Sequence, residues 1–416
     1  MTDLLNAMKD RPGPLRDRPV GPARGTRAWP PGDFQGLLAI ERSLMDGFIG
    51  AGYQPLRTPI LELTELHARK SGAGVVSRLF EVSDLGSSPL CLRPELTAGI
   101  VRAYVEAPQP PPLPWRVCAS GPVFRYEPDP AGSRLREFTQ TGVELLGAAG
   151  PAADAEMIAL ACHGLERLGL VAITPRIGHV GLILEILSRA GLPGAAATAL
   201  VEMLSAAAAD GKGIQALDSA LLALANWLKA GLAAEEIVPA VAQADDQGVD
   251  RLFRQLVPRV VGRRSGPEII HRLREKWRLD RSLSQVLLQV RDSLGLVASL
   301  RGPARRVLTR LEGESASLAP DALASLHSLI KELARRGLDP DRVELDLGFG
   351  RGIGFYTQTI FEITAQTPAG PIEVCGGGRY DGLAGSLGSD RDSHGVGFAL
   401  GLERVHEACL AAGVTR

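Results

Sequence analysis

The feature that most restricts the fold is an Ala- and Leu-rich block at about 180–336, set between two stretches of strand character. Inside the block, GLILEILSRAGL, ALLALANWLKAGL and ALASLHSLIKELARRGL carry apolar residues at helical spacing, and glycines near their ends suit C-caps. The pattern changes on both sides. LCLRPE, WRVCASGPVFRYE and REFTQTGVELLG upstream, and VELDLGFG, FYTQTIFEIT and PIEVCGGG downstream, partly alternate polar and apolar residues, as strands do. Strands, helices and strands again imply an α+β domain interrupted by a helical insertion. The chain has 416 residues, enough for one large domain with a second part inserted or appended. It contains no internal repeat.

The remaining segments fit this plan. Residues 1 to about 30 are rich in Pro, Arg and Gly, a composition that buries no core and reads as a poorly ordered tail or an extended arm. Asp33 is placed to cap a helix whose apolar residues are Leu37, Ile40, Leu44 and Phe48, closed by Gly50 and Gly52. YQPLRTPILE, with Pro55 and Pro59, reads as extended. A helix is expected over Ala153–Leu168, with Ile158, Cys162 and Leu165 on one side. The chain closes on a strand running into an amphipathic helix, GVGFALGLERVHEACLAAG.

Several classes of function find no support. The net charge of -1 lends no support to a nucleic-acid partner held mainly through phosphates, although a local basic patch is compatible with it. Five scattered cysteines make no CxxC pair and read as reduced, buried thiols of a cytoplasmic protein. The seven histidines show no HxxxH spacing, so no metal is expected. Neither GxGxxG nor GxxxxGK[ST] occurs, so no dinucleotide or P-loop cofactor is expected. No segment approaches the roughly 20 apolar residues of a membrane span, and no membrane partner is expected.

Four constellations carry possible chemistry. In GPVFRYEPDPAGSRLREFTQTGVELLG, Arg125 and Glu127 share a strand face. The return strand places Arg134, Arg136, Phe138, Gln140 and Glu144 on alternate positions. Guanidinium forks hold phosphate oxygens, a phenyl ring stacks on a base, and a carboxylate accepts from an amine or an imidazole N–H. A solvated face with surface ion pairs fits the pattern equally well. In LDLGFGRGIGFYTQTIFE, Gly348, Gly350, Gly352 and Gly354 surround Arg351, and Tyr356 offers a phenol; a β-bulge with a surface arginine is the plainer reading. VCGGGRYDGL is a tight backbone able to pass close to a ligand, or an ordinary glycine turn. In GFALGLERV, Arg404 stands in a helix's first turn, where the dipole favours a compensating anion. A surface salt bridge to Glu407 is the simpler alternative there.

Taken in order, these segments resemble histidyl-tRNA synthetase over about 24–170 and 343–408. RGTRAWPPG looks like the family's opening, and GYQPLRTPILE like class II motif 1. LRPELTAGIVRAY is similar to the family's amino-acid loop. FRYE with RLREFTQTGVELLG resembles motif 2, GRGIGFYTQTIFE the RGLDYY segment, GGGRYDGL a family hallmark and GFALGLER motif 3. The resemblance implies a class II synthetase-like core with an antiparallel sheet over 24–175 and 340–416, a helical insertion over 176–339 and a flexible tail over 1–23. The chain stops at Arg416, where a synthetase would continue into an anticodon-binding domain. That pattern resembles a paralogous family, the regulatory subunit of ATP phosphoribosyltransferase.

Membership there implies a non-catalytic subunit of the first step of histidine biosynthesis. It would join a short-form catalytic subunit in a hetero-octamer, self-associate as a dimer, allow activation and confer feedback inhibition by L-histidine; tRNA would not be a partner. The family's histidine site carries over to Glu95 and Thr97 at the α-amino group, Gln140 near the ligand backbone, and Glu144 and Tyr356 at the imidazole. Arg351 falls by the carboxylate and Tyr380 lines the pocket. The nucleotide or phosphate side carries over to Arg125, Glu127, Arg134, Phe138 and Arg404. Relative to RGLDYY, the Asp is Gly354 and the first Tyr is Phe355. The competing expectation is a short class II ligase that adenylates histidine for a non-standard acceptor; a purely architectural subunit is a third.

Overall fold

The computed structural model describes residues 20–69, 78–83, 86, 88–130, 134–192, 194–209, 216–230, 285–315, 317–348, 356–390 and 394–414. Among them nine strands form one sheet: β1 (Gln54–Pro55), β5 (Trp115–Phe124), β6 (Glu137–Leu146), β7 (Ile173–His179), β8 (Arg301–Pro303), β9 (Glu344–Asp346), β10 (Thr359–Thr367), β11 (Gly370–Arg379) and β12 (Gly395–Gly401). The order is β1-β5-β6-β12-β11-β10-β7-β9-β8, antiparallel except for the β1–β5 and β7–β9 pairs. A separate sheet of β2 (Leu61–Leu63), β4 (Leu90–Leu92) and β3 (Phe80–Val82) lies in that order. This is the α+β class with a mainly antiparallel sheet that the sequence implied.

One face of the large sheet is covered by helices. Helix α1 (Pro31–Gly50) buries Leu37, Ile40, Leu44 and Phe48, the four residues read from its periodicity. Burial of side chains this large contributes roughly 1.5–3 kcal/mol each. Asp33 does not cap the helix. The chain enters at Pro31, where a fixed φ already suits the first turn, and Asp33 lies within that turn. Phe48 packs edge-on to Phe398 of β12, with ring centroids 5.6 Å apart. The expected helix at 153–168 is found as Pro151–Arg167, with Ile158, Cys162 and Leu165 buried. All five cysteines are buried, and none of them forms a disulfide.

The helical block is tied to the sheet more closely than an insertion at 176–339 suggests. That boundary falls inside β7, and β8 at Arg301–Pro303 extends the same sheet. Helix Pro320–Arg335 packs on helix Pro151–Arg167. Leu187, Leu200, Leu224 and Leu326 from the block join Leu145, Leu165 and Phe361 in one apolar core.

Alternation across the sheet clears the opposite face for a site. On β12, Val396, Phe398 and Leu400 point into the core, so Gly395, Gly397, Ala399 and Gly401 face the other way. Register then aligns Glu144 of β6 with Gly397, and Gly397 with Gly378 of β11. Neither glycine presents a side chain beside Glu144.

Candidate functional site

Glu144 is at the centre of a buried polar cluster on that open face. Its Oε1 accepts a hydrogen bond of 2.6 Å from Thr97 Oγ1, and its Oε2 accepts another from the Tyr380 hydroxyl. Burial pushes the Glu144 carboxyl up to about 8; the two hydroxyls act against that shift and the nearby charge of Glu95 adds to it. Tyr380 is raised well above its ordinary value, by burial first and by Glu144 next. Glu95 behaves oppositely. Burial alone would raise it, but His67, the Ala98 N–H and Arg125 together hold its carboxyl below the ordinary value.

Local structure explains each placement. Thr97 opens helix α3 (Thr97–Glu106), whose start is held by Ala98 N–H donating to Glu95 at 3.1 and 3.2 Å. Tyr380 follows the end of β11, between Arg379 and Asp381. The buried Arg379 guanidinium donates to Asp154 at 2.8 Å, to Asp381 at 3.1 Å and to the Ala148 carbonyl at 2.9 Å. Asp381 also accepts from the Gly395 N–H at 3.1 Å. This network pins the turn that carries Tyr380. A Cβ at Gly397 would collide with the Glu144 carboxylate, one at Gly395 with the Tyr380 ring, and one at Gly378 would meet the Tyr356 ring at 2.8 Å. The three glycines therefore set the shape of the cluster.

Of the seven residues expected at the histidine site, Glu95, Thr97, Glu144, Tyr356 and Tyr380 lie together around this cluster. Gln140 is buried on the same strand, and its Oε1 accepts no hydrogen bond. Arg351 lies outside the described residues.

The five residues expected on the nucleotide side also come together. Arg125, Glu127, Arg134, Phe138 and Arg404 line one open pocket with Arg78 and Glu403. Arg125 donates to the Pro94 carbonyl at 2.7 Å, and its guanidinium carbon is 5.4 Å from the centroid of the Phe138 ring. Arg134 reaches Glu127 at 3.4 Å. Arg404 pairs with Glu373 at 3.5 Å rather than with Glu407. Glu403 accepts from the Thr139 N–H at 2.8 and 3.0 Å, joining the last helix (Leu402–Ala411) to β6. Four arginines around one cavity with an aromatic wall suit a phosphorylated, planar ligand.

Sequence reasoning passed over Arg78, Glu403, His67 and the β12 glycines Gly395 and Gly397 as site residues, while it marked the glycine run of β11 as a place of close backbone approach. Arg78 sits in no motif. The β12 glycines gain meaning only from register with Glu144, which local pattern does not carry. Among the described residues no group of three or more His, Cys, Asp or Glu is arranged to hold a metal. No helix among them is long and apolar enough to cross a membrane.

The histidyl-tRNA synthetase family model matches residues 25–244 and 231–405. The chain belongs to this family. A histidine–tRNA ligase of Synechococcus sp. (strain JA-3-3Ab) is 32% identical over 388 residues, covering 92% of this chain and 73% of that protein. The ligase of Methanococcus aeolicus is 28% identical over 384 residues, covering 92% and 75%. Among solved structures, an ATP phosphoribosyltransferase regulatory subunit/histidyl-tRNA synthetase from Bacillus halodurans superposes with a TM-score of 0.63 at 23% identity, over 95% of this chain and 84% of that one. A histidine–tRNA ligase subunit from Alicyclobacillus acidocaldarius superposes at 0.59 and 24% identity, over 94% and 98%. At such identities these likenesses speak of fold: the histidyl-tRNA synthetase core.

Proposed function

We propose that this protein binds L-histidine and acts as a regulatory subunit of ATP phosphoribosyltransferase, activating a short-form catalytic subunit and relaying feedback inhibition to it. The observation that carries the reading is Glu144, a buried carboxylate held by two hydroxyls on a floor cleared by glycine. A carboxyl raised to about 8, next to a ring that titrates near 6.5, can offer the imidazole either an acceptor or a donor. Glu95, held ionised nearby, suits the α-ammonium. Regulation is favoured over synthesis by the RGIGFY segment, where Gly354 and Phe355 replace the carboxylate and hydroxyl of RGLDYY. The Bacillus protein of like fold carries both names, regulatory subunit and histidyl-tRNA synthetase, and is compatible with this reading. Histidine would act by contacting two states of the complex unequally.

The test is formation of phosphoribosyl-ATP by the short-form catalytic subunit with this protein added. Stimulation is expected, followed by suppression on adding histidine. Glu144→Ala should abolish the suppression; suppression that survives in Glu144→Ala removes this cluster as the sensor.

The second reading is a ligase that adenylates histidine. It is favoured by the assembled arginine pocket and by curated relatives named as histidine–tRNA ligases. Histidine-dependent exchange of labelled pyrophosphate into ATP would establish it, and its clean absence would dispose of it.

A further inference from the structure

Behind Glu95 lies an imidazole whose presence in the interior calls for a reason. His67, in the short helix Thr64–Ala68, is fully buried. Its Nδ1 is 3.5 Å from Glu95 Oε1, ion-pair distance rather than a hydrogen bond. Neither ring nitrogen has a hydrogen-bond partner. An imidazole with both nitrogens stranded in the interior costs stability that an apolar ring of similar size would not. Packing alone therefore does not account for a histidine at this position. What the imidazole adds is a polar edge against one carboxylate oxygen, while the Ala98 N–H holds the carboxylate from the start of helix α3.

We propose that His67 is a positioning residue that fixes Glu95 in the orientation that receives the ammonium group of an amino-acid ligand. This rests on the histidine-binding reading above. His67 does not touch the ligand; it acts through Glu95. Without it the carboxylate keeps the Ala98 N–H, which meets both oxygens alike, and loses the contact that distinguishes one oxygen from the other. The lowering of the Glu95 carboxyl, in which His67 is the leading opponent of burial, is the electrostatic side of the same contact.

The test uses the full chain and three probes in titration calorimetry: L-histidine, histamine and 3-(imidazol-4-yl)propionate. The first two carry an ammonium group and the third does not. In His67→Phe, affinity for L-histidine and histamine should fall about tenfold, about 1.4 kcal/mol, while the propionate binds unchanged. His67→Gln restores a polar edge and should recover most of the loss; it also serves as the folded variant if His67→Phe melts early. Equal weakening of all three probes would reduce His67 to a structural role and overturn the proposal, as would no change for any. If the unaltered protein binds histidine, that outcome leaves the histidine reading standing. If it binds none of the probes, the histidine reading and the positioning role both fall.

Discussion

At one end of β6 the Glu144 carboxylate is buried, bonded by two hydroxyls and crowded by backbone. At the other end, around Phe138, the arginines stand at a rim, with the side chain of Arg134 63% exposed and that of Arg404 36% exposed. The first arrangement suits selection by shape and by a proton, with little room for a substitute and little water to screen it. The second attracts by charge and tolerates variation, because exposed guanidinium groups are screened and lose little when a neighbour changes. One strand thus carries a discriminating end and a permissive end. Each should therefore be open to perturbation without the other.

The largest effect is expected from Gly397→Ala. The added Cβ collides with the Glu144 carboxylate and lies 2.6 Å from the Val143 carbonyl, which is backbone and cannot move aside. Overpacking of this kind costs about 1–3 kcal/mol, read as a lowered denaturation midpoint. Histidine binding should be lost in calorimetry while pyrophosphate binding at the arginine pocket persists. Loss of both would show that the two ends are not separable.

Glu144→Gln should affect ligand binding less than Gly397→Ala, and its mark should be on the pH dependence of stability. A carboxyl raised from 4.5 to about 8 in the folded state holds a proton that the unfolded chain releases, so its burden on stability is absent below about 4.5. The burden grows as pH rises through that window and is constant above about 8. The unaltered protein should therefore lose stability between pH 5 and 8, of the order of 2–4 kcal/mol, and the glutamine variant should not share that slope. Melting temperatures of the pair across this range decide the matter; parallel curves would place the titration elsewhere.

The smallest effect on the fold is expected from Arg134→Ala, within roughly 0.5 kcal/mol. Its consequence should appear in pyrophosphate affinity, weakened several-fold at low salt and less at high salt. An effect independent of salt would mean that this rim is less exposed to solvent than its geometry implies.

The sequence was most legible where chemistry and pattern coincide on one strand. Alternation from Phe138 through Gln140 to Glu144 is local, and the strand Glu137–Leu146 sets these residues on one face. The four buried residues of the first helix follow from spacing for the same reason. Asp33 misled because a good capping residue lies two positions after a proline that opens the helix by itself. The boundary expected at 176 falls inside β7, and local pattern does not show that β7 and β8 share the sheet. Helical composition marks where helices are, but not which neighbouring strands they bring home. Gly397 and His67 were beyond reach for a different reason. A glycine next to a carboxylate and a histidine behind another become significant only through contacts spanning many residues of chain.

The placement of both ends on β6 has one more consequence. Phe138 and Glu144 are six residues apart on an extended strand, which at about 3.4 Å per residue is roughly 20 Å. That separation is a length written in backbone. Substitutions can alter what either end prefers, but none can bring the ends closer or move them apart. An insertion or deletion of one residue within 138–144 would also reverse the facing of every residue beyond it. Over sequence change the strand acts as a gauge, and only ligands cut to its measure, or two separate ligands, can engage both ends together.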